Sequence, residues 1–281
     1  MGRLFGTDGV RGIANRDLSV ELSTQIGTAV AMALGENCPH KPQVIIGKDT
    51  RASSDMIEAA LIAGLCSGGA DVRTLGVVPT PTVAYLTKLH GADAGIMISA
   101  SHNPFEFNGI KVFGAGGLKL PDDKEKEIED IVLDHGIPFV YASPESIGTV
   151  HPQEGGLEEY ISHLASTVSD DLSGLRVLVD CSNGSAFATA RELFSRLNCD
   201  ATIINAAPDG KNVNRACGST HVELLSDLVL KGGYDLAVAF DGDADRCLAM
   251  DECGHVVDGD RMIAIFAAEL KRHGKLRGNT A

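Results

Sequence analysis

Short runs of β-branched residues alternate along this chain with segments of helical periodicity, and the alternation limits the folds open to it. In the first half, strands are predicted at residues 44–47, 71–75, 94–98 and 110–113. Helices are predicted at residues 53–65, from Thr80 onward, and at 122–133. Because parallel strands need crossover connections, the pattern favours a largely parallel sheet with helices on both faces.

The alternation returns after residues 136–156, a stretch rich in proline and glycine that we interpret as an interdomain connection. Strands are expected at residues 176–180, 201–205 and 236–240, helices at 157–168, 185–197, 223–231 and 260–271, and a hairpin at 247–257. We therefore predict an α/β fold of two consecutive domains with mixed or mostly parallel sheets, residues 1–150 and 151–256. The helix predicted at 260–271 lies close to the end of the chain, so residues 257–281 are expected to be only the start of a third domain.

The chain is acidic, with 24 lysines and arginines against 38 aspartates and glutamates and a net charge of −14. Such a surface repels nucleic acid and anionic membranes, so we exclude both as partners. The seven cysteines form no C-x-x-C pair, and no run is apolar enough for a signal peptide or a bilayer span. We expect reduced thiols and a cytoplasmic location.

Three aspartates follow the apolar run at residues 236–240, in the motif Asp241-Gly242-Asp243-Ala244-Asp245-Arg246. In an extended segment, residues i, i+2 and i+4 point the same way, so the three carboxylates are expected to converge. Each pair at about 4 Å would repel by roughly 4 kcal/mol at an effective dielectric constant near 20. A bound cation removes this repulsion, and carboxylate oxygens suit Mg²⁺. The motif predicts one magnesium ion per chain.

Two alternatives to a catalytic metal stay open for this motif. One is a solvated acidic turn. The other is a calcium loop of the EF-hand type, which the aspartate spacing and Glu252 at the twelfth position fit. Against it, Arg246 occupies the place where that loop needs glycine, and the flanking segments have strand patterns.

A serine-containing loop, Ser99-Ala100-Ser101-His102-Asn103-Pro104, follows the strand predicted at residues 94–98. A serine hydroxyl needs a base or a metal to act as a nucleophile, and a phosphoserine would carry roughly −1.5 to −2 charges. Adjacent side chains diverge in extended chain, so His102 is expected to face a substrate. The alternatives are a simple Asn-Pro turn and a Ser-His-Asp hydrolase, which lacks its G-x-S-x-G elbow here.

Several cations lie in loops that follow or flank the predicted strands. Arg11 belongs to the glycine-dense residues 6–12, Lys48 and Arg51 follow the strand at 44–47, and Lys111 follows Asn108-Gly109-Ile110. Glycines let backbone N–H groups approach an anion closely. Because the rest of the chain is acidic, these cations together predict a phosphate pocket.

The serine motif, the aspartate motif and the Asn108–Lys111 segment resemble those of the α-D-phosphohexomutases. Residues 6–12, 204–210 and 217–221 resemble the phosphoglucosamine mutase branch of that family. The resemblance implies a phosphoserine at Ser101 that passes its phosphate to a sugar phosphate through a hexose or hexosamine 1,6-bisphosphate. The net reaction would interconvert glucosamine 6-phosphate and glucosamine 1-phosphate for UDP-N-acetylglucosamine and cell-wall synthesis.

The resemblance also implies a role for each candidate residue. The Ser101 phosphate, Asp241, Asp243 and Asp245 would hold Mg²⁺. Arg11, His102 and Lys111 would lie near the reacting hydroxyl, and Arg246 would support the phosphate. Asn103, Lys48 and Arg51 are further phosphate-binding candidates. The family's sugar-recognition and final phosphate-clamping loops are expected beyond residue 281.

Other functions remain open at this point. One is a phosphomannomutase or phosphoglucomutase of the same family. A second is a non-catalytic module that binds metal and sugar phosphate. A third is a metal-dependent phosphatase with an aspartate nucleophile in Asp241-Gly242-Asp243. Association into a homodimer is also left open.

Overall fold

Two sheets, each covered by helices on both faces, make up this computed structural model, which describes residues 3–36, 38–134 and 136–280. The strands of the first sheet are β1 (Val10–Ile13), β2 (Gln43–Lys48), β3 (Asp71–Val77), β4 (Ala94–Ile98), β5 (Phe107–Gly114) and β6 (Val150–Pro152). Their order is β1-β5-β4-β2-β3-β6, with β4, β2, β3 and β6 parallel and β5 antiparallel to both neighbours.

Four helices cover the first sheet: α1 (Val20–Gly35), α2 (Ser54–Ser67), α3 (Thr80–Leu89) and α4 (Asp122–Leu133). Strand β4 shows why both faces must be covered. Its Ile96 and Ile98 join the core formed with α1, α2 and α4, whereas Met97 packs with Val83 of α3 on the other face. All five residues of β4 are buried, as expected of a central strand in an α/β sheet.

Helices α1 and α2 approach each other closely because each carries a glycine at the contact. A Cβ on Gly27 would lie 2.5 Å from the carbonyl oxygen of Leu61, and one on Gly64 would lie 2.1 Å from that of Thr24. The two backbones therefore touch directly, and larger residues at either position would force the helices apart.

The second sheet has the order β11-β10-β9-β7-β8 and consists of β7 (Arg176–Asp180), β8 (Asp200–Ile204), β9 (Leu236–Phe240), β10 (Cys247–Asp251) and β11 (Val256–Val257). Strands β7, β8 and β9 are parallel, and β10 and β11 continue the sheet as an antiparallel hairpin. The helices of this half are α5 (Gly156–Ser166), α6 (Ala190–Arg196), α7 (Ser226–Gly232) and α8 (Gly259–Arg272). Val229 packs on one face of the sheet and Ala190 on the other.

The predicted α/β fold with two mixed sheets is confirmed, but several elements differ from the sequence pattern. The helix expected at residues 185–197 is a 3₁₀ turn, Ser185–Ala188, followed by α6. The break lies at Thr189, whose φ is −108° and whose hydroxyl donates to the carbonyl oxygen of Ala186 at 3.1 Å. The helix expected at 223–231 likewise begins as the 3₁₀ segment Ser219–Leu225 and continues as α7.

Three elements have no counterpart in the sequence pattern. Helix α1 is only weakly amphipathic because small and polar residues are among the half of its 16 residues that are buried, and β1 lies within the glycine-dense segment. Strand β6 lies inside the predicted connection, is exposed, and pairs with β3, so the predicted boundary between residues 150 and 151 falls within a strand of the first sheet. None of the helices in the described part of the chain has both the length and the hydropathy that a membrane span requires.

Candidate active site between the two sheets

The carboxyl ends of β4 and β9 meet where the two halves of the chain face each other. This brings the serine loop, residues 99–104, against the aspartate loop, residues 241–246. Ser101 Oγ donates a hydrogen bond of 2.5 Å to Asp241 Oδ2 across 140 residues of sequence, and both side chains are fully buried. Ligand sites in open α/β sheets lie at this strand edge. The two motifs therefore share one site.

The three aspartates converge through a turn and not through an extended segment. Ala244 adopts a left-handed conformation with φ of 55°, and its N–H donates to the carbonyl oxygen of Asp241 at 3.1 Å. Ligand atoms of Asp241, Asp243 and Asp245 nevertheless all lie within 4.8 Å of one another. The expected convergence is present, while the extended geometry from which we predicted it is wrong.

Asp243 is the most strongly supported of the three carboxylates. Its Oδ2 accepts hydrogen bonds from Thr80 Oγ1 at 2.6 Å and from Lys111 Nζ at 2.8 Å. Thr80 is the first residue of α3, and a helix N-terminus favours negative charge. Lys111 Nζ also lies 3.0 Å from Asp245 Oδ2 and 3.0 Å from Asp8 Oδ2. A single buried lysine therefore neutralises parts of three carboxylates.

These surroundings move the pKa values of the cluster in different directions. Burial and the neighbouring Asp243 raise the pKa of Asp241. Burial also opposes ionisation of Asp243, but Lys111 outweighs it and lowers the pKa of Asp243. Burial acts against the charge of Lys111, yet Asp243 and Asp245 raise its pKa. Asp241 is consequently the member of the cluster that takes up a proton most readily.

The donor set fits a divalent cation. Asp243 Oδ1 is buried and has no hydrogen-bond partner among the described residues. Such an orphaned acceptor costs about 1–3 kcal/mol unless something satisfies it. A hard cation held by carboxylate oxygens would do so, and Mg²⁺ is the one that prefers oxygen ligands in sites shared with phosphate. Asp241, Asp243 and Asp245 are the residues that would hold it.

An unsatisfied donor lies on the cationic side of the site. Strand β1 pairs antiparallel with β5 and places Arg11 opposite Gly109, two residues before Lys111. One guanidinium nitrogen of Arg11 donates to Asp8 Oδ2, but its Nε is buried without a partner in the described chain. A buried free N–H next to a cation site is suited to a phosphate oxygen.

His102 and Arg246 form a pair at the edge of the site. Arg246 Nη1 lies 3.1 Å from His102 Nδ1, and about half of the Arg246 side chain is exposed. Burial, Arg246 and Arg11 lower the pKa of His102. The imidazole is therefore neutral near pH 7 and accepts the arginine hydrogen bond through Nδ1.

Arg51 does not fit the phosphate-binding role predicted for it. Its side chain is fully buried, and its Nε donates to Asp49 Oδ2 at 2.8 Å. Its two terminal nitrogens donate to four backbone carbonyl oxygens, at 2.5–2.9 Å, those of Ser101, Asn103, Pro104 and Phe107. All five N–H donors of a guanidinium are thus engaged. We therefore assign Arg51 to positioning of the serine loop.

Lys48 and Asn103 are also engaged within the protein. Lys48 Nζ lies 2.7 Å from Asp55 Oδ1 and forms a second ion pair with Glu58, so α2 neutralises its charge. Asn103 contributes its backbone carbonyl oxygen, which accepts hydrogen bonds from Arg51 and Asn214. The described contacts of Lys48 are structural ion pairs, and those of Asn103 are with the serine-loop scaffold, so their phosphate-binding roles stay predictions.

Four residues of the site were not predicted to belong to it: Asp8, Asp49, Thr80 and Asn214. Asn214 Nδ2 donates to the carbonyl oxygens of Ser101 at 2.9 Å and Asn103 at 3.2 Å, so it ties the serine loop to the second half of the chain. A Cβ on Gly242 would lie 2.5 Å from the Ser101 carbonyl oxygen, which shows how closely the two loops pack. Asp8 lies inside a glycine-dense motif and Thr80 at a predicted helix start, so the sequence offered a reason to consider both as site residues. It offered no such reason for Asn214.

Comparison with known proteins gives a consistent result for the whole chain. Family models described as phosphoglucomutase/phosphomannomutase α/β/α domains I and II match residues 2–136 and 158–254. The chain is 52% identical over 280 residues to a phosphoglucosamine mutase from Acetivibrio thermocellus, and it spans 62% of the length of that relative.

Solved structures with the same fold include a phosphoglucomutase/phosphomannomutase family protein from Burkholderia thailandensis. It is 26% identical, with a TM-score of 0.81 over 96% of this chain and 59% of that one. A more distant similarity, at 17% identity and a TM-score of 0.53, is to an N-acetylphosphoglucosamine mutase from Aspergillus fumigatus in complex with GlcNAc-6P and magnesium. That similarity covers 98% of this chain and 56% of the other.

Proposed function

Because the chain belongs to the phosphoglucomutase/phosphomannomutase family, we propose that it carries the phosphoserine and metal sites of a phosphoglucosamine mutase. The activity would interconvert glucosamine 6-phosphate and glucosamine 1-phosphate through a hexosamine 1,6-bisphosphate. The choice of sugar rests on relatives such as the phosphoglucosamine mutase of Acetivibrio thermocellus. The single observation that carries the proposal is the hydrogen bond between Ser101 Oγ and Asp241 Oδ2 inside a cluster of three aspartates.

In the proposed reaction, Ser101 is the phosphate carrier. The bond between Oγ and phosphorus breaks as a free sugar hydroxyl forms its own bond to phosphorus, and the proton of that hydroxyl ends on the departing Oγ, which becomes the serine hydroxyl that donates to Asp241. The bisphosphate then turns over and returns its other phosphoryl group to Oγ, so that serine is phosphorylated again and the sugar has been isomerised. Mg²⁺, when bound, would supply charge neutralisation for the phosphoryl oxygens.

The residues around Ser101 suit a reaction in which charge is spread over phosphoryl oxygens. Lys111 is buried, has a raised pKa, and stays cationic throughout the neutral range. The unpartnered Nε of Arg11 offers a donor that no protein group uses in the described chain. His102 has a lowered pKa and accepts from Arg246, so these two residues act as one polar unit at the edge of the site. Such groups stabilise charge by fixed position.

Phosphoryl transfer to the chain itself tests the proposal. The purified chain is incubated with Mg²⁺ and glucose 1,6-bisphosphate labelled at phosphorus, and the label is mapped by mass spectrometry. We expect one phosphate per chain, on Ser101, and loss of the label in Ser101→Ala. The matched control is Ser173→Ala, because Ser173 is an exposed loop serine whose hydrogen bonds within the described residues are to nearby Asp171.

The outcome of this experiment separates the open functions. Label that persists in Ser101→Ala but disappears in Asp241→Asn identifies an aspartate nucleophile and contradicts the proposal. Binding of the bisphosphate by calorimetry without any label identifies a non-catalytic module. The sugar phosphate partner follows from the proposal, whereas a cytoplasmic location and a homodimer stay predictions.

A further inference from the structure

A second group of residues that can bind a metal lies at the amino-terminal ends of β2 and β4, at the opposite end of these strands from the serine loop. Cys38 and His40 belong to the link between α1 and β2, and Asp93 directly precedes β4. One ligand atom from each of the three lies within 4.8 Å of the others. We propose that this cluster binds a zinc ion through Cys38 Sγ, His40 Nε2 and Asp93 Oδ1. The proposal is independent of the function proposed above.

The three ligand atoms form a nearly equilateral triangle. Cys38 Sγ lies 3.7 Å from His40 Nε2 and 3.7 Å from Asp93 Oδ1, and His40 Nε2 lies 3.8 Å from Asp93 Oδ1. A tetrahedral Zn²⁺ with bonds of about 2.3 Å to sulfur and about 2.0–2.1 Å to nitrogen and oxygen sets its ligands about 3.3–3.6 Å apart. The three distances exceed these values by a few tenths of an ångström, and because Cys38 Sγ lies closer to His40 Nδ1, at 3.2 Å, than to Nε2, the imidazole must also rotate to direct its Nε2 lone pair at the ion. The His40 side chain is 58% exposed, so its ring can turn to meet the ion.

Outer contacts hold two of the ligands in the required state. His40 Nδ1 lies 3.1 Å from the carbonyl oxygen of Lys41, which can only accept, so Nδ1 carries the hydrogen and Nε2 keeps its lone pair. The same Nδ1 also lies 3.2 Å from Cys38 Sγ. Asp93 Oδ2 accepts from the backbone N–H of Gln43 at 2.8 Å, which leaves Oδ1 for the cluster. Carbonyl and amide partners of this kind orient the ligands of zinc sites.

The chemistry of the donor set selects the ion. A thiolate and an imidazole favour Zn²⁺, whereas Mg²⁺ prefers oxygen ligands and suits the aspartate loop instead. Cys38 would lose its thiol proton to solvent as the sulfur–zinc bond forms, and water would take the fourth position. Because the length of β4, about 17 Å, separates Asp93 from the serine loop, the ion would act on stability and not on phosphoryl transfer.

A similar group, Asp251, Cys253 and His255, serves as an internal control. Its ligand atoms also lie close together, but the carboxylate of Asp251 accepts from the backbone N–H groups of Cys253 at 3.0 Å and His255 at 2.8 Å. These hydrogen bonds close the turn between β10 and β11. Both backbone N–H groups bond to Oδ1 of Asp251, and Oδ2 lies within hydrogen-bond distance of His255 Nδ1, at 3.3 Å, whereas Asp93 Oδ1 lies 3.8 Å from His40 Nε2. Both oxygens of Asp251 are thus engaged within the turn, so we expect weaker zinc binding there than at Cys38.

Cobalt substitution in the full 281-residue chain tests the proposal. With Mg²⁺ in large excess to compete for the aspartate loop, we expect one sulfur-bound Co²⁺ per chain, seen as a sulfur-to-cobalt charge-transfer band that Mg²⁺ leaves in place and excess Zn²⁺ abolishes. Cys38→Ser should abolish the band, His40→Ala should weaken Co²⁺ binding at least tenfold, and Cys253→Ser should leave the band unchanged. Absence of the band in the wild-type chain, its survival in Cys38→Ser, or its loss in Cys253→Ser would overturn the proposal.

Thermal unfolding provides a second readout that does not depend on colour. Zn²⁺ should raise the midpoint of the wild-type chain because it binds only the folded state, and it should not raise the midpoint of Cys38→Ser or Asp93→Asn. Without metal, the wild-type chain and Cys38→Ser should unfold at similar temperatures, since Cys38 is partly exposed. An equal Zn²⁺-dependent rise in both proteins contradicts the assignment.

Discussion

The serine loop and the aspartate loop meet at one site, yet the protein holds them in opposite ways. Both contain a residue in the left-handed region, Ser101 with φ of 53° and Ala244 with φ of 55°. The backbone of the serine loop is tied down by Arg51 and Asn214. The aspartate loop instead crowds three carboxylates together and leaves Asp243 Oδ1 without a partner in the described chain.

The difference shows that the serine loop is held in place by the surrounding protein, whereas the aspartate loop carries the unsatisfied charge. A loop whose backbone carbonyls accept several buried hydrogen bonds is held in one conformation, and Ser101 with it. A loop with unsatisfied, mutually repelling charges is completed only when a cation binds. The protein thus concentrates its electrostatic strain on the aspartate loop and keeps Ser101 on the more tightly bonded loop, the division that the proposed phosphate carrier beside a metal would require.

The largest expected effect is on the serine loop and comes from the replacement of Arg51. Arg51→Ala removes the guanidinium that pairs with Asp49 and donates to four backbone carbonyls, of which those of Ser101 and Asn103 keep a hydrogen bond from Asn214. We expect the free energy of unfolding in urea to fall by about 3–5 kcal/mol, the range for breaking a buried ion pair. The control is Arg246→Ala, whose half-exposed side chain predicts a change within about 0.5 kcal/mol. Equal effects of the two variants would show that Arg51 does not organise the loop.

The second prediction concerns Asp241 and Asp243, whose replacement should change the stability of the metal-free chain in opposite directions. Asp241→Asn and Asp243→Asn should each weaken Mg²⁺ binding, measured by calorimetry, by at least about a hundredfold, since even outer-shell changes cost 10–100-fold. Their effects on the metal-free chain should differ. Asp241→Asn should stabilise it by on the order of 1 kcal/mol because the raised pKa of Asp241 means that its charge opposes folding. Asp243→Asn should destabilise it by a similar amount because Lys111 favours the charged form.

The contrast between these two variants is the informative quantity. If both stabilise the metal-free chain, Lys111 does not neutralise Asp243 as its 2.8 Å contact indicates. If both destabilise it, the repulsion at Asp241 is not the dominant effect. Ser173→Ala again serves as a control with no expected change.

The third prediction concerns pH. Asp241 has a raised pKa, so a proton competes with the cation at pH values well above the usual range of an aspartate, near 4. Mg²⁺ affinity should fall as the pH is lowered through that raised pKa, by up to about tenfold per pH unit for one competing proton. By linkage, Asp241 contributes stability to the metal-free chain that grows as the pH falls through the same window. A Mg²⁺ affinity that is constant down to about pH 5 would contradict this account.

The smallest expected effect is at Lys48, which lies outside both loops. Lys48→Met removes an ion pair with Asp55 and Glu58 that touches neither loop, so the free energy of unfolding should fall by about 1 kcal/mol. Mg²⁺ affinity and phosphate labelling of Ser101 should not change. A loss of labelling in this variant would support the phosphate-binding role that the sequence predicted for Lys48.

How much of the fold could be predicted depends on how local its signal is. Strand β4 was recognisable because every one of its five residues is apolar or glycine and all are buried. Helix α1 offered Ser19 as a cap and apolar residues at Ile26, Val30 and Ala33, but its many small buried residues weaken the contrast between faces. Strand β6 is three exposed residues that exist as a strand only because β3 provides a partner.

The same distinction holds within the site. The sequence by itself determined which chemistry is present: a serine after one buried strand, three aspartates after another, and the nearby Arg11 and Lys111. These assignments follow from residue type and from position at strand ends, which are properties of short segments. They needed no knowledge of distant partners.

Only the tertiary structure decided what each cation does. Arg51, Lys48 and Lys111 look alike in sequence, but Arg51 is saturated by the serine loop, Lys48 is paired with α2, and Lys111 faces the aspartates. The physical reason is that a buried charge is defined by the groups that satisfy it, and those groups lie many residues away. Lys111 and Asp243, for example, are 132 residues apart in the chain.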